Sequence, residues 1–179
     1  TAERLVQTRG FNGFSYADVA TELGVTKASL HYHFPGKAEL GEALIARYTE
    51  RFTAELQRID ANRLVPQAKL AAYASLYANV LREDRMCLCG MLAAEYETLP
   101  VAMRDEILRF FDGNQVWLRT VMEDGRADKS MRFDGTAEDG ARTILGGLEG
   151  AMLVARPYRD AARFDAAAAR LIAGVTGAR

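Results

Sequence analysis

The spacing of apolar residues constrains this chain most, because they recur every three or four positions along almost its whole length. Leu44, Tyr48, Phe52, Leu56 and Ile59 fall on one face of a long helix that begins near Lys37. Leu70, Tyr73, Ala74, Tyr77 and Leu81 make a second stripe, and Pro66 suits its first turn. Leu92, Ala93 and Tyr96 predict a short helix that Pro100 ends. A long one follows through Met103, Ile107, Phe110, Phe111, Leu118, Val121 and Met122, with its break at Gly125 and Asp128. Two last helices are expected over about 136–155 and 163–175. Strand alternation is missing, so the expected fold class is all-α.

At 179 residues and 49% hydrophobic, the chain can bury a full core within one or two domains. The longest run without charge, 70–81, is too short to span a bilayer, so no membrane partner is expected. Cys87 and Cys89 form a CxC pair, whose disulfide would be strained, so a reducing cytoplasm is the expected location. The sequence opens on Thr1 rather than methionine, which leaves room for a preceding basic arm or targeting segment.

The first 37 residues hold three short helices. Ser15 followed by Asp18 is a capping-box start, predicting a helix over 16–23 with Val19 and Leu23 on its buried side. Gly24 ends it, and Thr26 caps the next, which carries Leu30 inward and stops at Pro35. Ala20, Gly24 and Leu30 supply the small crossing residue, the turn glycine and the apolar plug of a helix-turn-helix. The outward residues of its second helix are then Thr26, Lys27, Ala28, Ser29, His31, Tyr32 and His33, with Ser29 and Lys27 nearest to base edges in a major groove. Ser15 and Tyr16, where the first helix starts, join the candidate DNA-contacting set. So does Lys37, which opens the following helix, where free amides already favour a phosphate. Residues 24–37 contain both histidines of the chain and no acidic side chain.

Charge limits how such a head can work. Residues 1–52 carry six basic side chains (Arg4, Arg9, Lys27, Lys37, Arg47, Arg51) and six acidic ones (Glu3, Asp18, Glu22, Glu39, Glu42, Glu50). A neutral head binds duplex DNA weakly by itself, so two must engage together. Gly140, Gly146, Gly147 and Gly150 lie in or beside the penultimate helix, where an interior glycine costs about 0.8–1 kcal/mol relative to alanine. Close helix approach offsets that cost, so Leu145, Gly147, Leu148, Ala151 and Met152 are expected at a homodimer interface, with packing inside one protomer as the alternative.

In the middle of the chain Asn114 falls within an apolar row, and a buried amide needs partners. Asn114, Tyr73, Tyr77, Met91, Phe110, Phe111, Trp117 and Leu118 are the candidate lining of a small-molecule site. Plain core is the alternative for each. Catalysis has little to stand on: both histidines lie in the DNA-reading helix, no HxxxH or CxxC pair offers metal spacing, and no Gly-rich loop follows a strand. No enzyme, metal or cofactor is expected, and a helical adaptor without DNA binding is the competing class.

Gly10, Phe11, Phe14, Ser15, Val19, Ala20, Gly24, Val25, Leu30, His33, Phe34, Lys37 and Leu40 together resemble the N-terminal domain of TetR-type (TetR/AcrR) transcriptional regulators. His31 stands where that family usually has tyrosine. The resemblance implies a helix-turn-helix domain over 1–48 and a helical ligand-binding and dimerisation domain over 49–179. It also implies a dimer interface from the last two helices, which adds Ala168, Leu171 and Ile172. Cys87, Leu88, Leu92, Ala93, Ala94 and Glu95 resemble a segment of TetR-type regulators that respond to electrophiles through a cysteine. Cys87 is thus both a ligand-site candidate and a candidate thiol sensor at a helix N-terminus, and burial in the core is the competing reading. The function expected is a homodimeric repressor that leaves a palindromic double-stranded operator when an unidentified small molecule binds.

Overall fold

A computed structural model describes residues 1–177, which leaves the last two residues of the expected C-terminal domain outside the described residues. Its helices are α1 (Ala2–Arg9), α2 (Tyr16–Leu23), α3 (Lys27–His33), α4 (Lys37–Ala61), α5 (Pro66–Arg82), α6 (Leu88–Ala93), α7 (Val101–Ala127), α8 (Ala137–Ala155) and α9 (Ala161–Thr176). Among the described residues there is no strand, and the all-α expectation holds. Local signals set most boundaries. Pro66 occupies the first turn of α5, Thr136 and Asp139 form a capping box on α8, and the Asp160 carboxylate caps α9 through the Ala162 amide at 3.0 Å.

Two boundaries differ from expectation. α7 continues through Gly125 to Ala127, because the Met131 amide donates back to the Gly125 carbonyl at 2.8 Å and folds the chain against the helix end. The expected helix through Tyr96 is split: α6 ends at Ala93, and Tyr96–Thr98 form a separate 3-10 turn before Pro100.

The chain divides into two compact units, Thr1–Arg51 with Cys87–Phe110, and Phe52–Met86 with Phe111–Arg179. In the first, Leu5, Val6, Phe11, Phe14, Val19, Ile45, Tyr48, Met103 and Ile107 are buried, and Met103 lies against Gly41 of α4. Leu23 departs from expectation and is 50% exposed: although it follows the buried Val19 and Ala20 at helical spacing, it is the last residue of α2, beside the left-handed Gly24. In the second, Leu70, Tyr73, Tyr77, Leu118, Val121, Met122, Ile144, Leu148, Met152 and Phe164 form the core, and α8 packs along α9 and α5 along both. None of the described helices is long and apolar enough to cross a membrane.

Candidate nucleic-acid interface

α2 and α3 form the helix-turn-helix, and each of its corners is fixed by a short-range bond. The Ser15 and Asp18 side chains cap each other's backbone amides, with the Ser15 amide and hydroxyl both 2.7 Å from Asp18 Oδ2. Those bonds hold the Asp18 carboxyl below its ordinary range. Gly24 takes the left-handed conformation at φ 66°, where a side chain would be strained, and the Val25 amide returns to the Ala20 carbonyl at 3.0 Å. Thr26 Oγ1 then accepts the Ser29 amide at 3.2 Å and starts α3.

This arrangement leaves Lys27, Ala28, Ser29, His31, Tyr32 and His33 exposed on α3, with Tyr32 at 85%, while Leu30 is half-buried as the plug. The Tyr16 ring lies 4.6 Å from that of His31, and its hydroxyl reaches the carbonyls of Gly36 at 2.6 Å and Phe34 at 2.9 Å, donating to one at a time. Burial, and then the charge of Glu39, raise the Tyr16 phenol above its usual range. His31 Nδ1 sits 3.1 Å from the Pro35 carbonyl, which can only accept, so that nitrogen carries the proton. Tyr16, Lys27, His31 and Lys37 line one cleft of about 410 Å³ on this face.

Lys37 lines the cleft but its ammonium turns inward. Nζ donates to the carbonyls of Phe11 and Phe14 and lies over both rings, 4.6 and 4.2 Å from their centroids. Burial holds its pKa below the usual lysine range, opposed by the charges of Glu95 and Asp18. The expectation of a phosphate-binding lysine therefore meets a lysine already engaged by the turn before α2. Arg4 with Glu22 and Arg51 with Glu3 are also paired inside this unit, so three of the six basic side chains of residues 1–52 are engaged there.

The expected small-molecule residues fall in both units. In the second, Tyr73 donates to Asn114 Oδ1 at 2.9 Å and so accepts from the Tyr77 hydroxyl at 3.0 Å, a chain that pairs the carbonyl oxygen of a 3% exposed amide. Trp117 stacks on Tyr73 at 5.5 Å and donates to Asp60 at 2.9 Å, and Lys69 pairs with the same carboxylate. Leu118 is buried and Phe111 half-buried. In the first unit, Phe110 packs on Tyr48 at 5.5 Å and Met91 is half-buried. Cys87 is the N-cap of α6, 1% exposed, its Sγ accepting from the Gly90 amide at 3.5 Å and the Tyr48 hydroxyl at 3.6 Å. A thiol so placed is packed as a small hydrophobe, and Arg85 pairs with Glu83.

The expected dimer residues divide by face. Leu145, Leu148, Met152 and Ala168 are buried within their own unit, and a Cβ on Gly147 would lie 2.7 Å from Leu171, so this glycine serves the α8–α9 approach inside the protomer. Ala151, Leu171 and Ile172 are half-buried. The outer face of α8 instead carries Gly146, Gly150, Leu153 and Val154, the last two 57% and 64% exposed. The apolar pair Leu153–Val154, lying off the inner stripe, is the sequence signal that marks this face.

Residues 1–44 match the family model described as bacterial regulatory proteins, tetR family, and residues 66–171 match the Tetracyclin repressor-like, C-terminal domain. The solved structure of a TetR-family transcriptional regulator from Agrobacterium tumefaciens is 32% identical and superposes with a TM-score of 0.94 over 98% of this chain and 93% of that one. A TetR regulator from Legionella pneumophila is likewise 32% identical, with a TM-score of 0.86 over 97% and 92%. Nucleoid occlusion factor SlmA of Vibrio cholerae is 29% identical over 160 residues, 84% of this chain and 77% of that protein. With a helix-turn-helix head, a C-terminal model matching residues 66–171 and two such structural relatives, the chain belongs to the TetR family of bacterial transcriptional regulators.

Proposed function

We propose that this chain is a homodimeric repressor whose residues 1–48 read a palindromic operator and whose residues 49–179 dimerise and take up a small-molecule effector. The observation that carries this reading is the set of polar and aromatic side chains exposed along α3, with no acid among them. Lys27 and Ser29, in its first turn, reach base edges, while Tyr32 and His33 donate to phosphate. Engagement of three basic groups inside the head leaves little charge for phosphates, so affinity depends on two heads binding half-sites about 34–36 Å apart, or a multiple of that. Effector uptake shifts the population away from the head spacing that fits the operator. An effector contact at Tyr73, Tyr77 and Asn114 requires their mutual hydrogen bonds to open, since those bonds pair the three groups within the core.

Titration of the wild-type protein onto DNA upstream of its own gene, at several salt concentrations, tests the reading. A salt-sensitive, sequence-selective complex is expected, and its failure to form would leave the helical adaptor. Ser29→Ala and Lys27→Ala are each expected to lose about 1–3 kcal/mol of discrimination at one base pair per half-site. Site selection that returned the wild-type consensus for both would remove them as base readers. The likeness to nucleoid occlusion factor SlmA favours a second reading, a role in nucleoid occlusion. Genome-wide mapping of binding beside transcript profiling of a deletion strain separates the two, since a repressor occupies promoters whose transcripts rise when it is deleted.

The thiol-sensor alternative turns on Cys87. Its burial supports a packing role, so neither thiol is expected to react with a maleimide until denaturant is added. Rapid modification of Cys87 in the folded protein together with release of DNA would restore the sensor.

A further inference from the structure

Glu95, just beyond α6, carries its carboxylate to the turn that joins α1 to α2. The backbone amides of Phe11 and Asn12 both donate to it, the latter at 3.1 Å, and nothing in their sequence neighbourhood announces a partner 83 and 84 positions away. Asn12 Nδ2 also donates to Thr98 Oγ1 at 2.8 Å, and that hydroxyl donates to the Glu95 carbonyl at 2.8 Å. The same turn is gripped by Lys37 through the carbonyls of Phe11 and Phe14. Gly10 makes the approach possible. It sits at φ +81°, and a Cβ there would stand 2.9 Å from Glu95 Oε1.

We propose that Glu95 is a positioning residue for DNA binding: its carboxylate clasps the α1–α2 turn and holds α2 and α3 in the orientation that engages DNA. The inference rests on the DNA-reading role assigned to α3. Its physical basis is the pairing of opposite charges across one turn. A carboxylate holds the amides, an ammonium holds the carbonyls, and their mutual attraction helps keep Lys37 charged against the desolvation of its burial. Ser15, which caps α2, lies three residues beyond Asn12, so freedom in the turn is transmitted directly to the start of the reading pair. Glu95 touches no base or phosphate. It acts by raising the fraction of heads in the competent orientation, and apparent affinity scales with that fraction.

The test compares wild type, Glu95→Gln and Glu95→Ala, with Thr98→Val as a milder variant that leaves the carboxylate in place. Amide hydrogen exchange at Phe11 and Asn12 is measured beside fluorescence-anisotropy titrations of the operator and of a random-sequence duplex, each referred to active protein by stoichiometric titration. Exchange at both amides should accelerate in Glu95→Ala, and affinity for both duplexes should fall by the same factor, about tenfold to a hundredfold, with the salt slope unchanged. Glu95→Gln, which keeps one acceptor oxygen, should fall between, and Thr98→Val should cost about twofold to tenfold. Accelerated exchange with undiminished affinity of the active fraction would overturn the positioning role, as would unaltered exchange in Glu95→Ala. If Glu95→Ala does not fold, unchanged affinity in both Glu95→Gln and Thr98→Val overturns it. A wild-type protein that bound neither duplex would instead overturn the DNA-reading role itself, and the exchange at Phe11 and Asn12 would still decide the clasp.

Discussion

Gly150→Glu is expected to turn the protein into a monomer that no longer holds its operator, while its helical content and melting temperature stay close to wild type. Gly150 lies on the exposed face of α8, and apart from its chain neighbours and the local helix backbone a Cβ there would find no atom of the described residues within 4 Å. The protomer therefore accepts a side chain, which relieves part of the about 0.8–1 kcal/mol that glycine costs a helix relative to alanine. In a dimer seam built from Gly146, Gly150, Leu153 and Val154 the same carboxylate is buried against its symmetry mate, where a like charge is disfavoured. Loss of the second head lowers operator affinity by about two to four orders of magnitude. Sedimentation velocity with operator titration checks both parts, and Leu153→Arg should behave alike. A Gly150→Glu protein that remained dimeric would move the interface elsewhere. Gly147→Glu is the uninformative choice, because its side chain would collide with Leu171 inside the protomer and unsettle the fold itself.

Lys37→Met is expected to destabilise the head by about 2–4 kcal/mol, from two charge-assisted bonds to carbonyls and the attraction of an ammonium to two aromatic rings. Methionine keeps an unbranched apolar stem beneath Phe11 and Phe14 and drops only the terminal ammonium, so the loss reports chiefly on the charge. Because the ammonium faces the turn, the log-log salt slope of DNA binding should be unchanged at equal active protein, whereas removal of a phosphate contact would reduce it by about 0.9 per head. Calorimetric melting and salt titrations of the variant distinguish the outcomes. A reduced slope with an unchanged melting profile would make Lys37 a phosphate ligand after all.

Lys37 and Leu23 illustrate how far sequence reading reaches. Their positions, at the start of α4 and the end of α2, were legible from caps and periodicity, as were Ser15, Gly24, Thr26 and Thr136 at helix ends. The direction of each side chain was not. By local logic a lysine beside the free amides of a helix N-terminus is one more donor to a phosphate, but the nearest acceptors in space are carbonyls more than twenty residues earlier. The dimer residues show the same limit, since the 3.6-residue period identifies an apolar stripe without saying whether it faces its own protomer or a partner. Asn114 was singled out because an amide in an apolar row demands a partner, yet only the packing of α5 on α7 supplies the Tyr73 hydroxyl.

By itself the sequence determined the all-α class, the helix-turn-helix with its Ser15–Asp18 capping box and left-handed Gly24, and the outward residues of α3. These follow from interactions within about four residues, where backbone geometry leaves few alternatives. Only the tertiary structure decided that Lys37 grips Phe11 and Phe14, that Glu95 holds the amides of the same turn, that Cys87 lies beneath Tyr48, and that Gly150 rather than Gly147 faces outward. The reason is that a buried polar group takes whichever complementary group the packed helices bring within hydrogen-bond reach, and that choice is made across tens of residues by the way the core fills.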